Sequence, residues 1–241
     1  MLADSLRPMP SARARVTILG LGSLLSERSS RVTFPNLSNF RVVRVLGWRR
    51  VFAHSPSVFV RRGIGDIDSL QLSSLSAEPC EGGAFYCTAF DVDDEGMPAF
   101  REREEEYELE WVPFIETAAL DACRTRSELR TAAAATGLLC CRSTDEAYIA
   151  RWGRERWDRD YASVGLSTIW GWQPDSGIRP CSTYLRHCVL AAQKLGKACY
   201  DSFLDETFLV DRKTTVRAYL AAHPEVMATE PPPELRERYG G

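Results

Sequence analysis

The chain has 241 residues, of which 44% are hydrophobic, enough for one well-buried core or a core with an appended segment. Lys and Arg total 30 against 33 Asp and Glu, and the resulting net charge of −3 disfavours nucleic acid and anionic lipid as partners. No apolar stretch approaches the roughly 20 residues that span a bilayer, and the N-terminal segment lacks the apolar core of a signal peptide. We therefore expect a cytoplasmic protein without nucleic-acid or membrane partners.

The cysteines predict buried thiols and not a metal site. None of the eight belongs to a Cys-x-x-Cys pair, and none has a usual zinc spacing with His54, His187 or His223. An adjacent pair such as Cys140 and Cys141 is more typical of strand filling than of redox chemistry.

The first half of the chain reads mainly as strands. Residues 1–14 are expected to form a flexible tail, and the β-branched run at 16–19 predicts a strand that stops at a glycine loop. Further strands are predicted at 41–52, with a break at Gly47, at 83–92, at 107–114 and at 137–142. In the 107–114 segment, apolar residues alternate with glutamates, the period of a strand with one wet face.

The second half is richer in predicted helices. A short helix is expected near Met97, and longer helical stretches at 117–135, 145–161, 182–195 and 200–220. In the clearest of these, 182–195, Ser182 or Thr183 can cap the start and Gly196 ends the helix. We expect one domain over 15–220, an insertion at about 117–173 and an extended tail at 221–241.

Short strands, few βαβ alternations and helices gathered late in the chain predict the α+β class. The sheet is expected to be a small mixed β-barrel or a strongly bent sheet. A doubly wound parallel sheet fits this order less well.

The first candidate motif is the loop Gly20-Leu21-Gly22-Ser23, which directly follows a predicted strand. Such a loop exposes backbone N–H groups that can hold a carboxylate or phosphate, although Gly-x-Gly after a strand is often only a turn. A dinucleotide fingerprint would need a third glycine where Leu25 stands, so a nucleotide-binding fold is disfavoured.

The second candidate is the run Arg101–Tyr107, in which carboxylates crowd between a short helix and a strand. Such a run is usually a solvated face. At this junction, however, one glutamate could point into the barrel mouth, where burial and neighbouring carboxylates would raise its pKa toward the range useful for proton transfer.

The third candidate is Pro180–Tyr184, which begins the predicted helix at 182–195. Tyr184 could also simply pack on the core.

These blocks together resemble the γ-glutamylcyclotransferase family and its AIG2-like relatives, whose fold is a small β-barrel surrounded by helices. The family's loop after the first strand resembles Leu21-Gly22-Ser23-Leu24-Leu25, and its acidic helix end with a following tyrosine resembles Phe100–Glu105 and Tyr107. Further matching blocks are Gly47-Trp48-Arg49, Gly83-Ala84-Phe85-Tyr86 and Pro180-Cys181-Ser182-Thr183-Tyr184.

Three positions depart from the family pattern. Leu21 replaces the loop tyrosine, Phe100-Arg101 replaces a Leu-Asp pair, and Glu105 replaces the glycine after the acid. Because the loop is expected to act through backbone N–H groups, Leu21 bears on specificity more than on activity. Glu105 is the more consequential change, since it puts a charge beside the acid that the resemblance makes catalytic.

The resemblance implies an enzyme that cyclises a γ-glutamyl group into 5-oxoproline without a metal or cofactor. Glu104 is the implied acid/base, which takes a proton from the α-ammonium group and returns it to the leaving amine. The implied substrate-binding residues are Tyr184 and the loop residues Leu19, Gly20, Leu21, Gly22, Ser23 and Leu24. The resemblance leaves three kinds of leaving group possible: an amino acid, an amine or the peptide part of glutathione. A homodimer is also possible.

The alternative from another class is a barrel that has lost the chemistry and acts as a protein-interaction module. Its docking surface would be the tryptophans of the inserted segment, Trp152, Trp157, Trp170 and Trp172. Clustered tryptophans at these spacings are more often the core of such a segment.

Overall fold

The computed structural model describes residues 15–120, 122–123 and 125–241, so the tail predicted at 1–14 lies outside the described residues. The strands are β1 Arg15–Gly20, β2 Ser38–His54, β3 Gln71–Asp93, β4 Glu108–Glu116, β5 Ala135–Cys141, β6 Arg179–Pro180 and β7 Thr207–Leu209. The helices are α1 Glu27–Thr33, α2 Ser57–Arg61, α3 Met97–Arg103, α4 Thr117–Leu120, α5 Arg126–Ala132, α6 Asp145–Trp152, α7 Arg154–Asp160, α8 Ser182–Lys194, α9 Lys197–Asp205, α10 Val216–Ala222 and α11 Arg236–Tyr239. None of the helices in these described ranges has the length and apolar character needed to cross a membrane.

Five strands close into a mixed barrel, which confirms the predicted α+β class. The barrel order is β3, β1, β5, β4, β2 and back to β3, because β3 pairs with both β1 and β2. All of these sequential neighbours are antiparallel except β1 and β5, which run parallel. The predicted break at Gly47 is a register shift between Leu46 and Trp48, where glycine has a positive φ of 82°.

The core lies inside the barrel and between the barrel and α8. Strand residues such as Ile18, Val45, Phe85 and Leu139 are fully buried. The neighbours of Val45 and Phe85 along their strands are more exposed, as the pleat requires, whereas β5 is buried on both faces over its last residues. Burial of each such side chain contributes about 1.5–3 kcal/mol. Leu185, Cys188, Val189 and Ala192 of α8 are buried at positions that share one helical face.

Two boundaries of the predicted organisation need correction. Strand β5 falls inside the segment 117–173, yet it is a barrel strand between β1 and β4. The segment is therefore not one insertion: α4 and α5 precede this barrel strand, and α6, α7 and the loop to residue 173 follow it. The parallel pairing of β5 with β1 joins residues about 120 positions apart, and local periodicity carries no signal for such a contact.

The segment predicted as an extended tail at 221–241 is packed against the domain. It contains the end of α10, two 3-10 turns at 224–228 and 233–235, and α11. Tyr239 is buried, and its ring packs edge-on against Tyr184 and His187. Aromatic burial thus holds the segment in place despite Pro231–Pro233.

A buried arginine joins the barrel to α9. Arg50 of β2 is fully buried, donates to the Ser202 carbonyl at 2.8 Å and the Tyr86 carbonyl at 3.2 Å, and lies 4.9 Å from the ring centres of Phe85 and Phe203. Burial lowers the pKa of Arg50 to about 10. The guanidinium therefore remains charged near neutral pH and adds charge-assisted hydrogen bonds to both carbonyls.

We expect Arg50→Ala to lower the free energy of unfolding by about 2–4 kcal/mol, because two carbonyls each lose a charge-assisted hydrogen bond and a cavity opens. Urea denaturation measures this loss. The control is Arg28→Ala on the exposed side of α1, which should change the free energy by no more than about 0.5 kcal/mol. Equal urea denaturation midpoints for Arg50→Ala and Arg28→Ala would contradict the structural role of Arg50.

Candidate active site

The candidate site lies at one end of the barrel. Strands β1, β2 and β5 end there, and β3 and β4 begin there, as their pairing directions require. The loop after β1 and the junction between α3 and β4 therefore meet across the barrel mouth. The start of α8 joins them.

The inner pocket is a cavity of about 30 Å³ at this mouth. It is lined by Leu19, Leu21, Gly22, Ser23, Leu24, Leu75, Glu104, Tyr107, Cys140 and Tyr184. The structure thus brings together the residues singled out from the sequence, except for Gly20. A cavity of this size holds about one water molecule.

Gly20 has a packing role outside the inner pocket. A Cβ atom at this position would overlap the Thr88 hydroxyl and lie 2.7 Å from Leu24 Cβ. The Thr88 hydroxyl donates to the carbonyls of Gly20 and Leu24, at 3.3 and 2.9 Å. Glycine at position 20 therefore lets the loop fold closely onto β3.

Gly22 and Ser23 meet Tyr184 of α8. A Cβ atom at Gly22 would overlap the Tyr184 hydroxyl, and the Ser23 N–H donates to the same hydroxyl at 3.4 Å. Burial above all raises the pKa of Tyr184 well above its usual range, so the hydroxyl stays protonated. The loop thus directs the Ser23 N–H toward the pocket, where the Tyr184 hydroxyl accepts its hydrogen bond.

Glu104 ends α3 and directs its carboxylate into the inner pocket. Its side chain is 12% exposed, and its Oε1 accepts from Arg103 Nε at 2.7 Å. Burial first, and then the charge of Glu104, raise the pKa of the Cys140 thiol well above its usual range. Cys140 is therefore a neutral thiol beside the carboxylate and unsuited to act as a nucleophile.

Arg103 is a site residue that the sequence did not single out. Besides Glu104, it donates to the Ser23 hydroxyl at 2.9 Å and to the Thr33 hydroxyl at 2.6 Å. One guanidinium therefore ties α3 to the glycine loop and to the end of α1. The sequence does not indicate this role, because nothing in a run of charged residues distinguishes Arg103 from the neighbouring arginine.

A buried polar network lies beneath Glu104. The Tyr107 hydroxyl is 2.9 Å from the Leu75 carbonyl, 2.8 Å from His54 Nδ1 and 3.1 Å from the Ser74 hydroxyl. His54 Nε2 lies 2.9 Å from Glu106 Oε2, an ion-pair distance, although the N–H direction is poorly aligned for a hydrogen bond.

Further contacts hold the Glu106 end of this network. Tyr161 donates to the other oxygen of Glu106, and the Trp170 ring stacks on His54 at 4.4 Å. The start of β4 is thus held from several sides, directly after Glu104.

Glu105 is held by the helices that follow β5. Its carboxylate pairs with Arg156 of α7, and its carbonyl accepts from Trp152 Nε1 at 3.0 Å. The pKa rise predicted for one glutamate of this run is found at Glu105, where burial outweighs the attraction of Arg156. Glu105 is therefore a docking point for α6 through its carbonyl and for α7 through its carboxylate.

The outer cleft, a larger cavity of about 350 Å³, adjoins the inner pocket. It is lined by Arg101, Glu104, Glu105, Tyr107, Glu108, Leu109, Arg151 and Trp152. Its volume is within the range of small-molecule sites. Glu104 and Tyr107 line both cavities, so they form the boundary between them.

The tryptophans of the inserted helices do not form a common docking surface. Trp157 and Trp170 are buried, and Trp157 packs against Tyr148 and Tyr161. Trp152 is 36% exposed, and Trp172 donates to the Ser55 hydroxyl at 2.9 Å. Most of the cluster is core of this segment, which removes the main support for an interaction surface built on it.

Comparison with known proteins gives matches among solved structures alone: no family model matches the sequence, and no curated protein sequence matches it. An uncharacterized human protein shares 11% identity, with 91% of this chain and 90% of that chain covered at a TM-score of 0.46. A structure described as a gamma-glutamyl cyclotransferase gives 10% identity, the same coverage and the same TM-score. An Arabidopsis thaliana protein shares 14% identity over 62% of this chain and 84% of that chain, at a TM-score of 0.38.

Proposed function

We propose that this chain is a γ-glutamylcyclotransferase, which releases 5-oxoproline from a γ-glutamyl compound. The observation that carries the proposal is the position of Glu104, which faces the glycine loop and Tyr184 in the inner pocket and also lines the outer cleft. A partly buried carboxylate opposite a backbone N–H donor is the arrangement that proton transfer next to a polarised carbonyl needs.

In the proposed reaction, Glu104 takes a proton from the α-ammonium group of the substrate. The freed amine attacks the γ-carbonyl carbon, a C–N bond closes the five-membered ring, and the bond to the leaving amine breaks. Glu104 then returns its proton to that amine, and the second proton lost by the ring nitrogen also passes to the amine, which leaves as an ammonium group. The attack is intramolecular, so orientation and proton transfer are the main demands on the protein.

The loop would hold an oxygen of the γ-glutamyl group. The Ser23 N–H is bound to the Tyr184 hydroxyl at a long 3.4 Å, a weak contact that a substrate oxygen can replace. Tyr184 would then donate to the same end of the substrate. Because Arg103 binds both the Ser23 side chain and Glu104, loop and acid keep a fixed relation.

The volumes limit where the substrate can lie. The inner pocket, at about 30 Å³, cannot contain a γ-glutamyl group, so most of the substrate must occupy the outer cleft. Three carboxylates line that cleft together with Arg101 and Arg151, so its lining is of mixed charge. Glu104, which also lines the inner pocket, is the carboxylate beside which the α-ammonium group would have to lie.

We expect Glu104→Gln to reduce turnover by roughly 10² to 10⁴-fold, because the amide keeps size and hydrogen bonding but cannot accept the proton. Binding of the γ-glutamyl compound, measured by calorimetry, should survive. The matched control is Glu110→Gln, an exposed glutamate of β4 away from both cavities, which should keep the wild-type rate. An unchanged rate of 5-oxoproline release in Glu104→Gln would contradict the assignment of Glu104 as the acid/base.

We expect Gly22→Val to raise the Michaelis constant by roughly tenfold or more, because the side chain would overlap the Tyr184 hydroxyl and push the loop from its place. Steady-state kinetics with circular dichroism as a folding check measures this. A folded variant with an unchanged constant would show that the loop is only a turn.

We expect Glu105→Gln to retain most of the turnover, since the Glu105 carboxylate is committed to Arg156 and does not line the inner pocket. Arg156→Gln is its partner variant and should behave alike, with a modest loss of stability in both. If Glu105→Gln lost turnover to the extent expected for Glu104→Gln, the acid/base would be Glu105.

A further inference from the structure

Two residues of α8 contact the backbone of Ser23. The Tyr184 hydroxyl accepts from the Ser23 N–H at 3.4 Å, and His187 Nε2 lies 3.4 Å from the Ser23 carbonyl oxygen. The two side chains are three positions apart, so they lie on the same face of the helix, one turn after the other. The proposed reaction uses the Ser23 N–H and Tyr184 but gives His187 no role.

His187 is a buried, neutral histidine. It is 1% exposed, and burial above all lowers its pKa to about 4, so that its ring has a single N–H near neutral pH. Nδ1 accepts from the Gly241 backbone N–H at 3.0 Å, a group that can only donate. The ring proton is therefore on Nε2, which faces a carbonyl that can only accept. Backbone groups on both sides thus select one tautomer.

Residues 239–241 hold the other side of this histidine. The Gly241 carbonyl accepts from Lys194 Nζ at 2.7 Å, so both backbone groups of Gly241 are bound to α8. Gly241 has a positive φ of 95°, and a Cβ atom there would lie 2.8 Å from Leu190 Cβ. Glycine therefore lets the chain lie directly against α8, where its N–H reaches His187.

All three polar groups of Ser23 are bound. The N–H donates to Tyr184, and the hydroxyl accepts from Arg103 at 2.9 Å. The carbonyl faces His187 and also accepts from the Ser26 N–H at 3.2 Å. Several separate parts of the chain thus converge on the residue whose N–H is the proposed donor to the substrate.

The direction of the Ser23 N–H depends on these contacts. Gly22 precedes it, and glycine has the freest backbone of any residue, so the chain alone fixes this direction poorly. Tyr184 is not sufficient, because its contact with the N–H is the one that a substrate oxygen would replace. A hydrogen bond to the Ser23 carbonyl limits rotation about the backbone bonds of the same residue. The contact with His187 remains when the substrate binds.

We propose that His187 is a positioning residue for the proposed reaction, which keeps the Ser23 N–H directed at the substrate oxygen and is itself held by Gly241. The inference rests on the proposed function. His187 lines neither the inner pocket nor the outer cleft, so it acts through Ser23 and not on the substrate. A donor whose direction is fixed in advance stabilises developing charge without reorganisation during the reaction.

The test compares two substitutions of His187. His187→Leu removes both ring nitrogens, whereas the side-chain amide of His187→Gln can still donate to the Ser23 carbonyl. We expect His187→Leu to reduce kcat on γ-glutamylalanine by roughly 10- to 100-fold and to change KM by less than about threefold, because the donor acts mainly in the transition state. His187→Gln should retain most of the wild-type kcat.

The matched control is His223→Leu, which removes a partly exposed histidine paired with Glu225 and should change neither constant. Rates are measured per folded protein, well below each thermal midpoint, so that a loss of stability alone does not lower them. An unchanged kcat in folded His187→Leu overturns the proposal. An equal loss in His187→Leu and His187→Gln also overturns it, because the donor would then be irrelevant.

A second variant tests the link to residue 241. Gly241→Ala should lower kcat in the same way but less, because the added Cβ meets Leu190 and moves the N–H away from His187. The double variant of Gly241→Ala and His187→Leu should be no slower than His187→Leu, since both changes act through one contact. Multiplied effects overturn the link. Should His187→Leu fail to fold, Gly241→Ala decides, and an unchanged kcat then overturns the proposal.

Hydrogen exchange separates this inference from the proposed function. In the full-length protein, the Ser23 amide, followed by NMR, should exchange roughly tenfold faster in His187→Leu than in the wild type and should be little changed in His187→Gln. If the wild type releases no 5-oxoproline but exchange responds in this way, the reaction is wrong and the positioning role stands. If the wild type releases 5-oxoproline and Ser23 exchange is unchanged in His187→Leu, the reaction stands and the positioning role is wrong.

Discussion

The closure of the barrel by β3 is the constraint on which the rest of the structure depends. This strand of 23 residues pairs with β1 along one part and with β2 along nearly all of its length. Closure leaves no free edge among the five strands and fixes which ends of the strands share a mouth. Gly22, Glu104 and Tyr184, distant in sequence, meet there for that reason. No local feature of any of them would bring them together.

The three consecutive glutamates 104–106 have different roles because the chain changes from helix to strand at this point. Glu104 ends α3 and faces the inner pocket, Glu105 faces α7, and Glu106 faces His54 beneath the barrel mouth. Each carboxylate has its own cationic or hydrogen-bonding partner, so repulsion along the run is offset residue by residue. The contacts of Glu105 and Glu106 hold the chain on the C-terminal side of Glu104, and Arg103 holds it on the other.

The sequence predicts those structural elements that depend on a local residue pattern. The strand at 16–19 and the helix at 182–195 have clear periodicity and end signals, and the break at Gly47 follows from its backbone freedom. The barrel role of β5 was missed because its pairing is long-range and parallel. Glu104 was singled out through the family resemblance alone, and His54 and Arg103 carried no motif. Their roles arise from neighbours that only the folded chain provides.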